Sequence, residues 1–393
     1  MRRPGPILAI VAACLTAPAT AQAAPQAAPQ AAPQAAAETT TQASAQATGQ
    51  LLRDDTGLYP RAIRLEHSGP ANGRVLASVV TFVGNADGIG AIYESTDAGK
   101  SFAQVGIVED PEAADGQGLC CATLFELPKP VGALPAGTLL WAASVGASDR
   151  PMSLRIWRSN DVGRSWSYLS SCATAANDRG LWEPEFSIAK DGRLVCHYAD
   201  ETDPAHSQKL MQVRSTDGVT WTDPTPTVAS PTVAHRPGMP VVRRLPTGTY
   251  LMSYEICGQG GQYDCAAYTR QSPDGWNWDS PGTITRTADG KYFTHAPTIA
   301  VAPDGSLLAV GQILQNADGS VAAGNGRTLF VKSGNGNWRT IPAPVAVTNP
   351  YNNYCPNYSS PLLVSPDSKQ VLELASDYHN GICKTYYATG RAK

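Results

Sequence analysis

The sequence predicts an all-β fold, a β-propeller of six blades, and three observations carry that reading. From Tyr59 onward, short apolar runs alternate with Gly, Asn, Asp and Pro turns, with no long helical period between them. One turn motif recurs along the chain. An apolar strand motif recurs in step with it.

The turn motif comes first as Ser95-Thr96-Asp97-Ala98-Gly99-Lys100-Ser101-Phe102, then as Ser159-Asn160-Asp161-Val162-Gly163-Arg164-Ser165-Trp166. Ser215-Thr216-Asp217-Gly218-Val219-Thr220-Trp221 and Ser272-Pro273-Asp274-Gly275-Trp276-Asn277-Trp278 follow. Lys332-Ser333-Gly334-Asn335-Gly336-Asn337-Trp338 is a decayed fifth copy. The chemistry suits a hairpin: Asp accepts backbone N–H groups across the turn, Gly takes the positive φ, and the aromatic packs back between strands. Four copies about 55 to 65 residues apart mark a radial array. Trp166, Trp221 and Trp278 belong to these turns and read as packing residues.

The strand motif opens each repeat: Tyr59-Pro60-Arg61, Cys121-Ala122-Thr123, Glu183-Pro184-Glu185, Met239-Pro240-Val241, Ala296-Pro297-Thr298 and Ser360-Pro361-Leu362. Six openings give six blades. The first strand of a blade lies nearest the axis, so the column Tyr59, Cys121, Glu183, Met239, Ala296, Ser360 is expected to line one shared funnel.

Outside the repeats, residues 1–23 read as an export signal. Arg2 and Arg3 precede an apolar run from Ile7 to Ala17, and Ala21-Gln22-Ala23 offers a cleavage site. The run is too short to span a membrane. Val11-Ala12-Ala13-Cys14 supplies the alternative, a lipid anchor on Cys14. Residues 24–50, rich in Ala, Pro and Gln, read as a flexible linker, which leaves 51–393 as the propeller. Charged residues make up only 16% of the 393, and 30 basic against 33 acidic groups leave a net charge of −3. That balance gives no electrostatic grip on nucleic acid or anionic lipid.

Beyond Cys14, eight cysteines remain, an even number that favours disulfides in an exported chain. Cys257 and Cys265 are near enough to close a short loop. Cys355 and Cys383 could staple the last repeat, and Cys120-Cys121 could form a vicinal bridge. Spacing alone fixes none of these pairings. Without paired CxxC or HExxH spacing, no metal site is expected.

Two carboxyl groups flanking one bond are what glycoside cleavage requires. Glu183 stands at the start of blade three, and Glu255 at the end of the second strand of blade four. Glu185, two residues on from Glu183, shares its strand face and is its rival. Asp200, Glu201 and Asp377 hold similar strand-end positions in reserve. Arg61, Arg236 and His295 fall near strand starts, where donors could hold sugar hydroxyls. Trp182 flanks Glu183. Tyr351, Tyr354 and Tyr358 cluster before blade six with Asn352 and Asn353, where an aromatic ring could stack on a sugar.

The turn motifs resemble the Asp-boxes of sialidases and related propellers. The order Tyr59-Pro60-Arg61, Trp182-Glu183-Pro184-Glu185-Phe186, Arg236-Pro237-Gly238-Met239-Pro240-Val241-Val242 and Tyr254-Glu255 is more specific. It is similar to the exo-arabinanases of glycoside hydrolase family 93, over roughly Tyr59 to Tyr387. The resemblance implies a six-bladed propeller that cleaves linear α-1,5-L-arabinan from its non-reducing end to arabinobiose, with retention and without a metal or organic cofactor; the signal implies secretion, and a monomer is expected. It implies Glu183 as nucleophile and Glu255 as general acid/base, about 5–5.5 Å apart, with a raised pKa at Glu255. Arg61, Trp182, Glu185, Arg236, His295 and Tyr358 are then the expected substrate-binding residues. A sialidase, with a Tyr nucleophile and an arginine trio that includes Arg61, is the rival enzyme reading. A non-catalytic glycan-binding propeller is the third.

Overall fold

The computed structural model describes residues 48–84, 87–114, 118–146, 151–278 and 281–393. The export signal, Cys14 and the linker as far as residue 47 lie outside these. The described residues form six antiparallel sheets in chain order, each a blade. Blade one is Leu58–Arg64, Val75–Val83, Asp87–Ser95 and Ala103–Glu109. Blade two is Leu119–Glu126, Leu139–Val145, Ser153–Ser159 and Ser167–Thr174. Blade three is Leu181–Ile188, Leu194–Asp200, Lys209–Ser215 and Thr222–Val228.

Blade four begins with Arg236–Arg244, Tyr250–Cys257 and Ala266–Ser272, and short strands extend its outer edge. Blade five is Thr298–Val301, Leu307–Val310, Thr328–Lys332 and Arg339–Pro342. Blade six is Leu362–Val364, Gln370–His379 and Ile382–Arg391, with its fourth strand taken from the other end of the chain. That strand is Gln50–Leu51, in register Gln50↔Tyr387 and Leu51↔Tyr386. Thr48 also bridges to Ala346. The last residues of the stretch read as linker therefore close the ring, and they cover an edge that would otherwise stay unpaired.

The inner strands touch their neighbours all the way round, blade six meeting blade one. Apolar clusters fill the wedges between successive blade faces. Leu76, Ile92, Leu124 and Trp141 join blades one and two, and Leu140, Leu154, Phe186 and Cys196 join two and three. Leu372, Leu374, Val75 and Tyr93 join six and one. Trp141 is fully buried there, and a β-carbon on Gly90 would stand 2.5 Å from its ring. A glycine on blade one is what admits a tryptophan from blade two.

The four intact turn motifs behave alike, each between the third and fourth strands of its blade. Asp97 Oδ1 accepts the N–H groups of Lys100 and Ser101 at 3.1 and 2.9 Å, and Asp161 repeats this with Arg164 and Ser165. Asp217 accepts from Val219 and Thr220, and Asp274 from Trp276 and Asn277. Hydrogen bonding, first from Ser101, pulls the Asp97 carboxyl down to about 2. Trp166, Trp221 and Trp278 each donate their indole N–H to nearby protein, as packing residues do. The eight cysteines pair as Cys120–Cys121, Cys172–Cys196, Cys257–Cys265 and Cys355–Cys383. The pair that spacing left unassigned, Cys172–Cys196, joins the outer strand of blade two to the second strand of blade three.

Candidate active site

One backbone device repeats around the axis. The inner strand gains one residue over its partner between Leu58 and Arg61, Cys120 and Thr123, Trp182 and Glu185, and Gly238 and Val241. At each bulge a non-glycine residue takes positive φ: Tyr59 at 50°, Cys121 at 60°, Glu183 at 61° and Met239 at 57°. His295 and Ala296, at 61° and 45°, hold the corresponding place before blade five, and Ser359, at 57°, before blade six. The expected column is thus present, shifted by one residue from Ser360 to Ser359. Such backbone costs about 1–3 kcal/mol per residue, and it persists where the surroundings enforce it. Tyr59, Met239 and Ala296 meet in one buried cluster, joined by Cys121 and Tyr358, and so close the floor of the funnel.

Two carboxyls stand at this floor. Glu183 Oε2 accepts the backbone N–H of Met239 at 2.5 Å. Glu255, directly opposite Gly238 in the ladder of blade four, accepts the N–H of Ala296 at 2.6 Å. Each carboxylate is thus held by the column residue of the next blade. A β-carbon on Gly238 would lie 3.5 Å from Glu183 Oε2 and 3.8 Å from Glu255 Oε1. Both carboxyls therefore border one small space, and the glycine keeps it empty.

Burial raises both acids. Glu183 is pushed up to about 7, chiefly by desolvation, with the Met239 N–H and the charges of Arg236 and Arg61 pulling the other way. Glu255 is pushed up to about 8 by desolvation and then by the Glu183 charge, against the Ala296 N–H. Glu183 keeps a partly open side chain, whereas Glu255 is 9% exposed. Both are thus held toward the protonated form, and Glu255 is the more enclosed of the two.

The other expected residues divide. Tyr358 faces both acids: burial, then the charges of Glu183 and Glu255, raise its hydroxyl well above the usual range. The hydroxyls of Tyr358 and Tyr59 lie 3.8 and 3.7 Å from the Met239 sulfur. Arg61 is buried, its Cζ 4.1 Å above the Tyr59 ring, and it donates to Ser359 Oγ at 2.9 Å. Arg236 is braced by an ion pair to Glu201 and by bonds to Gln208 and Ser207, so the reserve residue Glu201 serves as its anchor. His295 stands beside the Cys257–Cys265 bridge, a ring nitrogen within 4.8 Å of both sulfurs. Those sulfurs are bonded to each other and offer no thiolate to a metal.

Glu185 points elsewhere. Its carboxylate is buried between Thr123 of blade two, which donates at 3.0 Å, and an ion pair with Arg243 of blade four. It clasps three inner strands together. Trp182 packs against the wedges on both sides of blade three. Asp200 accepts from Thr202, and Asp377 from Thr348 and Tyr378, so both are tied into local turns. Gln208 and Gly238 belong to the site but carry no catalytic signature. Gly238 is revealed by its place opposite Glu255 in the strand ladder, and Gln208 by its contacts with Arg236 and Pro237.

The fold and its likeness to solved enzymes make this a glycoside hydrolase built on a six-bladed propeller. Among solved structures it is similar to an arabinanase and to a family 93 arabinofuranosidase. An α-L-arabinanase of Penicillium chrysogenum, solved with arabinobiose, is 25% identical and superposes with a TM-score of 0.72, covering 88% of this chain and 98% of its own. The family 93 α-L-arabinofuranosidase of Fusarium graminearum, also solved with arabinobiose, is 22% identical with a TM-score of 0.72, over 88% of this chain and 97% of its own. At that identity the second likeness is one of fold. No family model and no curated protein matches the chain.

Proposed function

We propose that this protein is an exported, exo-acting hydrolase of α-1,5-linked L-arabinan that releases arabinobiose with retention of configuration. The observation that carries the reading is the pair Glu183 and Glu255 facing one space cleared by Gly238. A retaining glycosidase needs two carboxyls with opposite protonation at the start of the cycle. Glu255, the more enclosed of the two and raised by burial, is the general acid that protonates the leaving oxygen. Glu183, eased downward by Met239 N–H, Arg236 and Arg61, is the nucleophile. It attacks the anomeric carbon, and the resulting glycosyl ester is hydrolysed by water that Glu255, now ionised, deprotonates. Arg61, Arg236, His295 and Tyr358 hold the sugar at this floor. The arabinobiose bound in both of these neighbours supports a substrate of this kind. Export accords with four disulfides.

The sialidase reading fares less well. Arg236 and Arg243 are each ion-paired to a carboxylate of the protein, and burial first, then the charges of Glu183 and Glu255, keeps the Tyr358 hydroxyl protonated. The test is product analysis on linear arabinan and, separately, on a sialylated oligosaccharide, with wild type and Glu255→Gln. Arabinobiose appearing early and alone, abolished by the substitution while binding survives, supports the proposal. Sialic acid release, or undiminished turnover by Glu255→Gln, overturns it. Binding without turnover in wild type favours the non-catalytic reading.

A further inference from the structure

Blade two brings to the funnel two adjacent cysteines bonded to each other, Cys120 and Cys121. The other three bridges join residues 24, 8 and 28 positions apart. A bridge stabilises chiefly by closing a loop in the unfolded chain. A bridge between neighbours closes none, so chain entropy does not account for this one.

Its position does. Both cysteines stay partly exposed between Leu119 and Ala122, which are buried. Cys121 occupies in blade two the bulge place that Glu183 occupies in blade three. Its side chain packs on the cluster of Tyr59, Met239 and Ala296, which Tyr358 also joins. Met239 and Ala296 are the residues whose N–H groups hold the two acids. A sugar ring presents C–H faces that take no hydrogen bond and seek an apolar, polarisable surface. Bonding the two sulfurs removes their thiol chemistry and leaves such a surface, fixed in direction because the ring through one peptide unit locks both side chains.

We propose that the Cys120–Cys121 bridge is a substrate-contacting plate, on which the apolar face of the bound sugar packs beside Glu183. This inference rests on the glycosidase reading above. The test compares wild type with Cys120→Ser/Cys121→Ser on linear arabino-oligosaccharides, after circular dichroism and melting curves establish that both are folded. The expected result is a KM raised about tenfold with kcat within about threefold. An unchanged KM in the folded variant overturns the inference. A wild type inactive on these substrates overturns the glycosidase reading instead, so the two failures are distinguishable.

Should the variant fail to fold, the native protein is treated with a mild phosphine reductant and an alkylating agent, with and without arabinobiose, and mapped by mass spectrometry. Slower labelling of Cys120 and Cys121 with sugar present, and none at buried Cys355 and Cys383, supports the plate. Equal labelling of the pair with and without sugar overturns it.

Discussion

Glu183 and Glu255 both border Gly238: Glu183 Oε2 and Glu255 Oε1 stand 3.5 and 3.8 Å from the point where a side chain on that residue would begin. Among the described residues neither acid forms an ion pair there, the nearby Arg236 and Arg243 being paired to Glu201 and Glu185. Each is fixed instead by a single backbone N–H from the following blade, Met239 for Glu183 and Ala296 for Glu255. A neutral donor orients a carboxyl without forcing it to ionise, which is what an acid that must trade its proton requires.

Gly238→Ala therefore acts at the chemistry rather than on the fold. The added methyl would lie 2.7 Å from Gln208 Nε2, the end of a side chain able to shift, and would intrude between the acids. The expected outcome is a melting temperature near wild type with kcat/KM lowered about 10- to 100-fold on arabinan. Steady-state kinetics with a parallel melting curve check it.

The pH profile follows from the two raised acids. Glu183 must be ionised and Glu255 protonated, and the pair titrates as a unit. Activity should fall as pH drops below about 7, where Glu183 takes up a proton, and fall again above about 8, where Glu255 loses one. A narrow bell in kcat/KM is expected, and a plateau from pH 4 to 6 would contradict this assignment of roles.

Stability should show the opposite face of the same shifts. A carboxyl raised in the folded state binds more protons there than when unfolded, so stability falls as pH rises from its ordinary value through the raised one. Glu255→Gln removes that penalty and should raise the melting temperature by several degrees at pH 8, with little change at pH 4. Glu373 is the control. It is buried on blade six, pushed up to about 8 by desolvation, and held by the Val345 N–H. Glu373→Gln should stabilise in the same pH window while leaving kcat/KM unchanged, which separates buried-acid cost from catalysis.

Glu185→Gln separates the two glutamates of the blade-three motif. Losing the carboxylate breaks the clasp to Arg243 and weakens the bond from Thr123. A loss of about 1–3 kcal/mol is expected in denaturant unfolding, discounted toward the lower end because Arg243 is 40% exposed. Glu183→Gln should instead lose turnover by about 10³-fold or more with its fold intact. A reversal of these two phenotypes would make Glu185 the nucleophile.

Much of this protein was legible before folding. The Ser-x-Asp turns and the strand motif reported period, blade number and the axial column apart from its sixth member, Ser359 where Ser360 was expected, because hairpin chemistry and strand alternation are local. Glu183 and Glu255 were visible as carboxylates at strand ends for the same reason. Local pattern could not say which of Glu183 and Glu185 faces the funnel, since strand alternation sets them on one face. The bulge between Trp182 and Glu185 turns them apart. Nor could it reveal Glu373, which looks like any strand glutamate until blade six buries it.

The sequence by itself determined the repeat, and with it the all-β propeller and the column that meets at its centre. Only the tertiary structure decided how the ring closes, with Gln50–Leu51 returning to blade six, and what stands beside what at the axis. Residues such as Gly238, Met239 and Cys121 acquire their roles from neighbours dozens of positions away, on blades brought together by the apolar wedges between them. Contacts of that range are set by packing, and no stretch of a single blade encodes them.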